Sequence, residues 1–194
     1  AIDFDSNESR IEFDESGKID TISPVERNDA HRLIEECMIA ANRCAARFLA
    51  KSEVPTLYRV HDRPSEERIG DLRTFLAEIG LELRGGDEPT PADLSHVLEQ
   101  ARSRPDSHLI QTVALRSLKQ AVYMPENNGH FGLSLDAYAH FTSPIRRYPD
   151  LLVHRGIRHV LSGKKPAQFI YPPADMAALG EHCSHTERRA EEAT

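Results

Sequence analysis

Between Ala30 and Lys51 apolar side chains return every three or four residues: Ala30, Leu33, Ile34, Cys37, Met38, Ala41, Cys44, Ala45, Phe48 and Leu49. That is the period of an α-helix, so the spacing predicts one long amphipathic helix with a single apolar stripe, ending near Lys51. Two start signals precede it. Ser23-Pro24-Val25-Glu26 offers a capping serine, a proline in the first turn and a glutamate three residues on, and Asn28-Asp29 offers a second start. Within this helix Glu35 and Glu36 fall off the stripe. Cys37 and Cys44, seven apart on it, read as small buried hydrophobes.

The rest of the chain must supply what packs on that helix. Partial alternation from Phe4 to Ile22, with turn residues Glu15-Ser16-Gly17 in the middle, predicts a β-hairpin over 1–22 and places the long helix at 23–51. Residues 52–125 read as a helical region. Pro64-Ser65 opens one helix and Gly80 stops it, and two more are predicted at about 91–102 and 106–122, with a Gly- and Pro-rich loop at 84–91. In 126–194 the alternation Phe131-Gly132-Leu133-Ser134-Leu135-Asp136-Ala137-Tyr138 predicts a strand, Pro144 a helix of about 145–161, and Pro173 a last helix. The expected class is mixed α/β, a hairpin and at least one later strand packed with several helices.

Length and charge bound the function. With 194 residues, 39% hydrophobic and 28% charged, the chain can bury a core without staples, and no apolar run approaches the roughly 20 residues of a membrane span. Three cysteines with no secretory signal argue for free thiols and a cytoplasmic location. The chain opens at Ala1 without an initiator Met and stops within a charged, helix-like pattern, and is expected to be a piece of something longer. A net charge of −7 disfavours a phosphate-binding surface overall, but the charge is uneven. Residues 1–30 hold nine acids against three bases. Residues 140–165 hold Arg146, Arg147, Arg155, Arg158, Lys164 and Lys165 against Asp150 alone, so any contact with phosphate is expected there.

One segment stands apart: His130-Phe131-Gly132-Leu133, four residues, Tyr138-Ala139-His140-Phe141-Thr142-Ser143-Pro144-Ile145-Arg146-Arg147-Tyr148-Pro149-Asp150, three residues, His154-Arg155. It resembles the signature of the RNase II/RNase R (RNB domain) family of 3′-to-5′ exoribonucleases. The stretch Arg27 to Asn42 is similar to that family's long helix, so the resemblance covers essentially the whole chain. It implies the C-terminal part of an RNB catalytic domain, from an enzyme that releases nucleoside 5′-monophosphates from single-stranded RNA with Mg²⁺.

Family positions carry expected roles. Arg146 is expected to contact the scissile phosphate and stabilise charge in the transition state. From the residues alone, Arg146 and Arg147 would sit in the first turn after Pro144, where backbone N–H groups already favour an anion. The competing account is structural, an Arg146 to Asp150 pair one turn on. Arg147 has the same two readings, RNA contact or surface ion pair. Phe4 matches a ring that stacks on terminal bases, or is a strand residue of the core. Glu35 matches a glutamate that recognises ribose, whereas Glu36 has Arg32 and Arg43 near its side of the helix. Tyr138, inside the signature, is a further RNA-binding candidate. The family's metal-binding aspartates are expected upstream of this chain, so no metal ligand is assigned here and the piece is expected to be inactive alone, with the upstream portion as its partner. The alternative is a non-catalytic RNA-binding or scaffold protein on a degenerate RNB fold. Asp3, Asp5, Asn7 and Asp14 imitate a Ca²⁺ loop but have Glu8 where glycine is required, and His182-Cys183-Ser184-His185 has no companion zinc motif. Neither is assigned.

Overall fold

The computed structural model describes residue 2, residues 9–24 and residues 28–193. The alternation around Gly17 closes as a hairpin. Strands β1 (Ser9–Phe13) and β2 (Ile19–Pro24) pair antiparallel. Asp14 Oδ1 accepts from the N–H groups of Ser16 (2.8 Å) and Lys18 (2.9 Å), and Gly17 takes the left-handed conformation that the turn demands (φ 77°).

Helix α1 (Asp29–Lys51) starts at the second of its two signals. Asn28 Oδ1 accepts from His31 N at 3.0 Å, and His31 Nδ1 accepts from Asn28 N at 3.3 Å, a reciprocal cap. The Ser23 start is not used, because Ser23 and Pro24 pair with Arg10 and Ser9 in the hairpin. The helix also splits its stripe. Asn42, Ala45, Ala46 and Leu49 are buried and Glu35, Met38 and Ile39 partly covered, one line at helical spacing. Leu33, Ile34, Cys37, Cys44 and Phe48 point outward. The apolar set is wider than one packed face, and the fold uses the flank that carries Glu35. Cys37 and Cys44 are therefore exposed rather than buried, and Glu35 lies on the covered face rather than off it.

The 52–125 stretch is not purely helical. Strand β3 (Tyr58–Val60) pairs antiparallel with β4 (Val122–Met124), and between them α2 (Glu66–Glu78), α3 (Pro91–Ala101) and α4 (Ser107–Ser117) close around Leu72, Leu76, Leu94, Val97 and Ile110. Ser65 and Thr90 cap α2 and α3. The helix predicted to run to 122 stops at Ser117. There Leu118 turns extended, and its carbonyl accepts from Arg68 Nη1 at 2.7 Å, which frees Val122 for the sheet.

Residues 131–138 do not form a strand. His130 and Leu135 exchange backbone hydrogen bonds (2.8 and 3.2 Å) and close a turn in which Ser134 has φ 57°. His61 Nδ1 accepts from Gly132 N at 3.0 Å, so the period-2 pattern here serves packing of a turn against β3. Helix α5 (Tyr148–Leu161) packs against α1, where Gly156 makes room for Leu49: a Cβ there would sit 3.2 Å from Leu49 Cδ2. After a short 3₁₀ turn (Pro166–Gln168), α6 (Pro173–Glu192) lies on β4, with Ser184 Oγ accepting from Tyr123 N at 2.8 Å. No described helix is long and apolar enough to cross a membrane.

Candidate active site

The signature segment from Ala139 to Arg147 has no regular secondary structure, so its backbone groups need partners from elsewhere. Helix α1 supplies the first. Asn42, 2% exposed, accepts at Oδ1 from Phe141 N (2.9 Å) and Thr142 N (3.2 Å), and its Nδ2 donates to Tyr138 Oη (2.9 Å). Helix α5 supplies the second. Asp150, fully buried, accepts at Oδ1 from Ser143 N at 2.8 Å. His154 Nε2 bonds the Phe141 carbonyl at 2.9 Å while its ring stacks on Phe141 with centroids 4.3 Å apart. The Ser143 carbonyl in turn accepts from Arg146 N and Arg147 N, closing the turn before α5.

The helix after Pro144 begins at Tyr148, not at 145. Pro149 has no N–H to give to Ile145, and its ring would collide with that carbonyl in a helix interior, whereas at the second helical position neither problem arises. Arg146 therefore precedes the helix, and Arg147 is its N-cap residue. The free N–H groups expected to attract an outside anion are complemented by the chain's own Asp150 in the first turn.

That shift separates the two arginines. Arg147 Nη2 donates to Asp150 Oδ1 at 2.9 Å, with the arginine side chain 21% exposed and the carboxylate 0%. Arg146 is exposed and makes no ion pair or side-chain hydrogen bond among the described residues. The structural account suggested for Arg146 thus belongs to Arg147. Asp150 Oδ2 and Arg147 Nε are buried and have no hydrogen-bond partner among the described residues.

Tyr138 is 7% exposed, its hydroxyl taken by Asn42 and its ring edge-on to His130 and His140. The residue expected to contact RNA is thus buried here, and its hydroxyl supports Asn42. Beside it, Tyr123 Oη and His140 Nδ1 share a hydrogen bond at 2.8 Å. Burial pushes the Tyr123 hydroxyl up to about 12, and burial, followed by the field of Arg147 and Arg59, pushes His140 down to about 3. His130 falls to about 4, again through burial and then through His61 beside it. These groups are neutral at neutral pH, so the positive charge here is arginine's. Glu35 sits two turns ahead of Asn42 on the same face of α1, roughly 10 Å along the axis. The expected partners of Glu36 are engaged elsewhere: Arg32 lies 3.7 Å from Asp29 and Arg43 3.7 Å from Asp136. Phe4 lies outside the described residues.

Among the described residues no three His, Cys, Asp or Glu side chains gather as a metal site requires, so they do not fit a Mg²⁺ ion. A separate concavity of about 610 Å³ near His61 and His130 has its cations neutralised locally, Lys119 by Asp62 and Arg63 by Glu88. Sequence reasoning missed Asn42 and the clamp made by Asp150. The signal for Asn42 was an amide between Ile39 and Ala45 on the covered line of α1, where a polar side chain needs a partner.

The model of the RNB domain family matches residues 1–163. Ribonuclease R of Escherichia coli (strain K12) is 52% identical over an alignment of 201 residues, covering 100% of this chain and 25% of that protein. The solved structure of Mycoplasma genitalium RNase R in complex with ribose methylated single-stranded RNA superposes with a TM-score of 0.86 at 27% identity, over 96% of this chain and 30% of that one. That of the same protein in complex with double-stranded RNA gives 0.87 at 27% identity, over 96% and 34%. The chain thus spans about a quarter of the length of the curated relatives it matches.

Proposed function

This chain belongs to the RNB domain family, and on that premise we propose that it forms one wall of the active site of a cytoplasmic 3′-to-5′ exoribonuclease that hydrolyses single-stranded RNA to nucleoside 5′-monophosphates. The observation that carries the reading is the division of labour between adjacent arginines: Arg147 is tied to buried Asp150, and Arg146 is exposed and unpaired at the end of a turn pinned by two helices. A guanidinium left free there can fork two hydrogen bonds onto a phosphate and hold the charge that develops as the phosphodiester is attacked. Glu35 is assigned to the ribose, and Phe4 to stacking on the terminal base. Arg147 and Tyr138 serve RNA binding indirectly, by holding the turn.

The reading takes Mg²⁺ as cofactor, held by carboxylates outside this chain. It also takes the upstream portion of the same domain as partner. The hairpin presents Ile11, Phe13, Ile19 and Ile22 to solvent, each about half exposed or more, and a patch of that kind suits burial against protein.

The test uses the full-length protein, 5′-labelled single-stranded RNA and Mg²⁺. Stepwise 3′ shortening with release of 5′-monophosphates is expected, lost on chelation and reduced about 10²–10³-fold by Arg146→Ala. The 194-residue chain by itself is expected to be silent, and to regain activity when mixed with the separately made remainder. Activity of the chain alone would show that the metal ligands are misplaced. Binding without cleavage by the full-length protein would establish the non-catalytic alternative.

A further inference from the structure

We infer that Asn42 is a positioning residue for Arg146: it fixes the backbone of the Phe141–Ser143 segment from helix α1, as Asp150 does from α5, and thereby sets where the free guanidinium stands. The inference rests on the exoribonuclease reading of Arg146 and adds to it the device that holds that group in place.

Three consecutive amides lead into the turn, and each is held by a buried side-chain oxygen. Phe141 N and Thr142 N donate to Asn42 Oδ1, and Ser143 N donates to Asp150 Oδ1. The next residue, Pro144, has no N–H to hold. The Ser143 carbonyl then fixes Arg146 N and Arg147 N. Between Asn42 and Arg146 lie only six residues of chain, Phe141 to Arg146, held by the side chains of Asn42, Asp150 and His154 and by the Ser143 carbonyl, and no strand or helix ladder shares the work. Nor can the carboxamide turn over freely. Its Nδ2 is bound to Tyr138 Oη, and a flipped amide would present N–H groups to two backbone N–H donors. Tyr138 is itself locked by the neighbouring imidazoles, and its carbonyl accepts from Arg59 N at 2.8 Å. An exposed arginine on an unanchored loop would sample many positions, and a misplacement of about 1 Å at a reacting group can cost on the order of 10²-fold in rate.

The experiment compares full-length wild type, Asn42→Ala, Tyr138→Phe, Arg146→Ala and the two double variants with Arg146→Ala. It measures kcat and KM on single-stranded RNA, and amide exchange at Phe141 and Thr142 by mass spectrometry or NMR. Asn42→Ala is expected to lower kcat about 10²-fold with KM little changed. Tyr138→Phe keeps the packing and folds, and is expected to lower kcat several-fold in the same way. Both effects should vanish in the Arg146→Ala background, because a residue that acts through Arg146 has nothing left to position. Exchange at 141 and 142 should quicken in Asn42→Ala. Equal losses with and without Arg146, or no loss in either single variant, overturn the inference. If the wild-type protein cleaves no RNA, the exoribonuclease reading falls first. Unchanged exchange in the variants then overturns the clamp as well, whereas quickened exchange leaves it standing as an anchor of the turn.

Discussion

Replacing Arg147 by alanine and replacing Arg146 by alanine should have opposite consequences, although the residues are adjacent and chemically identical. Asp150 is fully buried, and its carboxylate has two donors, Arg147 Nη2 at 2.9 Å and Ser143 N at 2.8 Å. Arg147→Ala leaves that charge in the protein interior with one neutral hydrogen bond. Breaking a buried pair by removing one partner costs about 3–5 kcal/mol, because the remaining ion stays desolvated. Against a total stability of about 5–15 kcal/mol, that is a large fraction. Arg146 is exposed and its side chain makes no hydrogen bond or ion pair among the described residues, so Arg146→Ala should alter stability by no more than about 0.5 kcal/mol while activity falls about 10²–10³-fold. Arg147→Ala with Asp150→Leu should recover only the part of the loss that comes from the unpaired charge, because Ser143 N then loses its acceptor, at about 1–3 kcal/mol. Urea denaturation of the full-length variants, followed at the transition of this domain with m-values compared, gives the stabilities, and monophosphate release gives the rates. An Arg147→Ala variant as stable as wild type, or an Arg146→Ala variant destabilised by several kcal/mol, would refute the reasoning.

Three more expectations concern the surroundings of the site. Gly180→Ala places a Cβ 2.6 Å from the Tyr123 carbonyl, a backbone atom that cannot swing aside; pushing α6 off β4 also strips Tyr123 N of its bond to Ser184, so a loss of about 2–4 kcal/mol is expected in the same denaturation assay, net of the helix propensity gained. Burial holds His130 at about 4 and His140 at about 3 against an ordinary 6.5, so the unfolded chain takes up protons first as pH falls. Their contribution is intact above pH 6.5 and drains away from 6.5 down to about 4 for His130 and about 3 for His140, by up to ~1.4 kcal/mol per pH unit for each, and a His130→Asn/His140→Asn variant should show a flatter stability profile over that window. Glu35→Ala should cut the preference for a ribose over a 2′-deoxyribose 3′ end about tenfold or more, read from the ratio of kcat/KM on the two substrates, because the interaction proposed for it is with the 2′-hydroxyl. An unchanged ratio would remove Glu35 from sugar recognition.

Much of the fold was legible because short-range signals act without the rest of the molecule. Gly17 in a turn, Ser65 at the start of a helix and Pro173 at the head of another each determine a boundary through their own backbone chemistry. What sequence misplaced depends on distant partners. Period alone could not say which flank of the α1 stripe meets α5 and the signature segment, and the choice sends Cys37 and Leu33 outward and brings Glu35 in. Strands β3 and β4 are three residues each, too short for any alternation to register, and they exist because they pair with each other across more than sixty residues.

At the site the outcome turned on Pro149. A helix running from 145 would put Arg146 and Asp150 four apart on one face, and the obvious pair would form. Pro149 cannot donate to Ile145, so the helix restarts at Tyr148, the preceding turn is handed to the carbonyl of Ser143, and Asp150 finds its partner at the N-cap residue three positions back. The same imino acid that sets the boundary of α5 thus decides which arginine is paired with Asp150 and which is left exposed. Substituting Pro149 by alanine tests the dependence directly. If α5 then extends to 145, Arg146 should compete for Asp150 and kcat should fall with little loss of stability. An unchanged kcat would mean that Asn42 and Asp150 hold the turn without the proline's help, and that the restriction at residue 149 follows from the clamp instead of causing it.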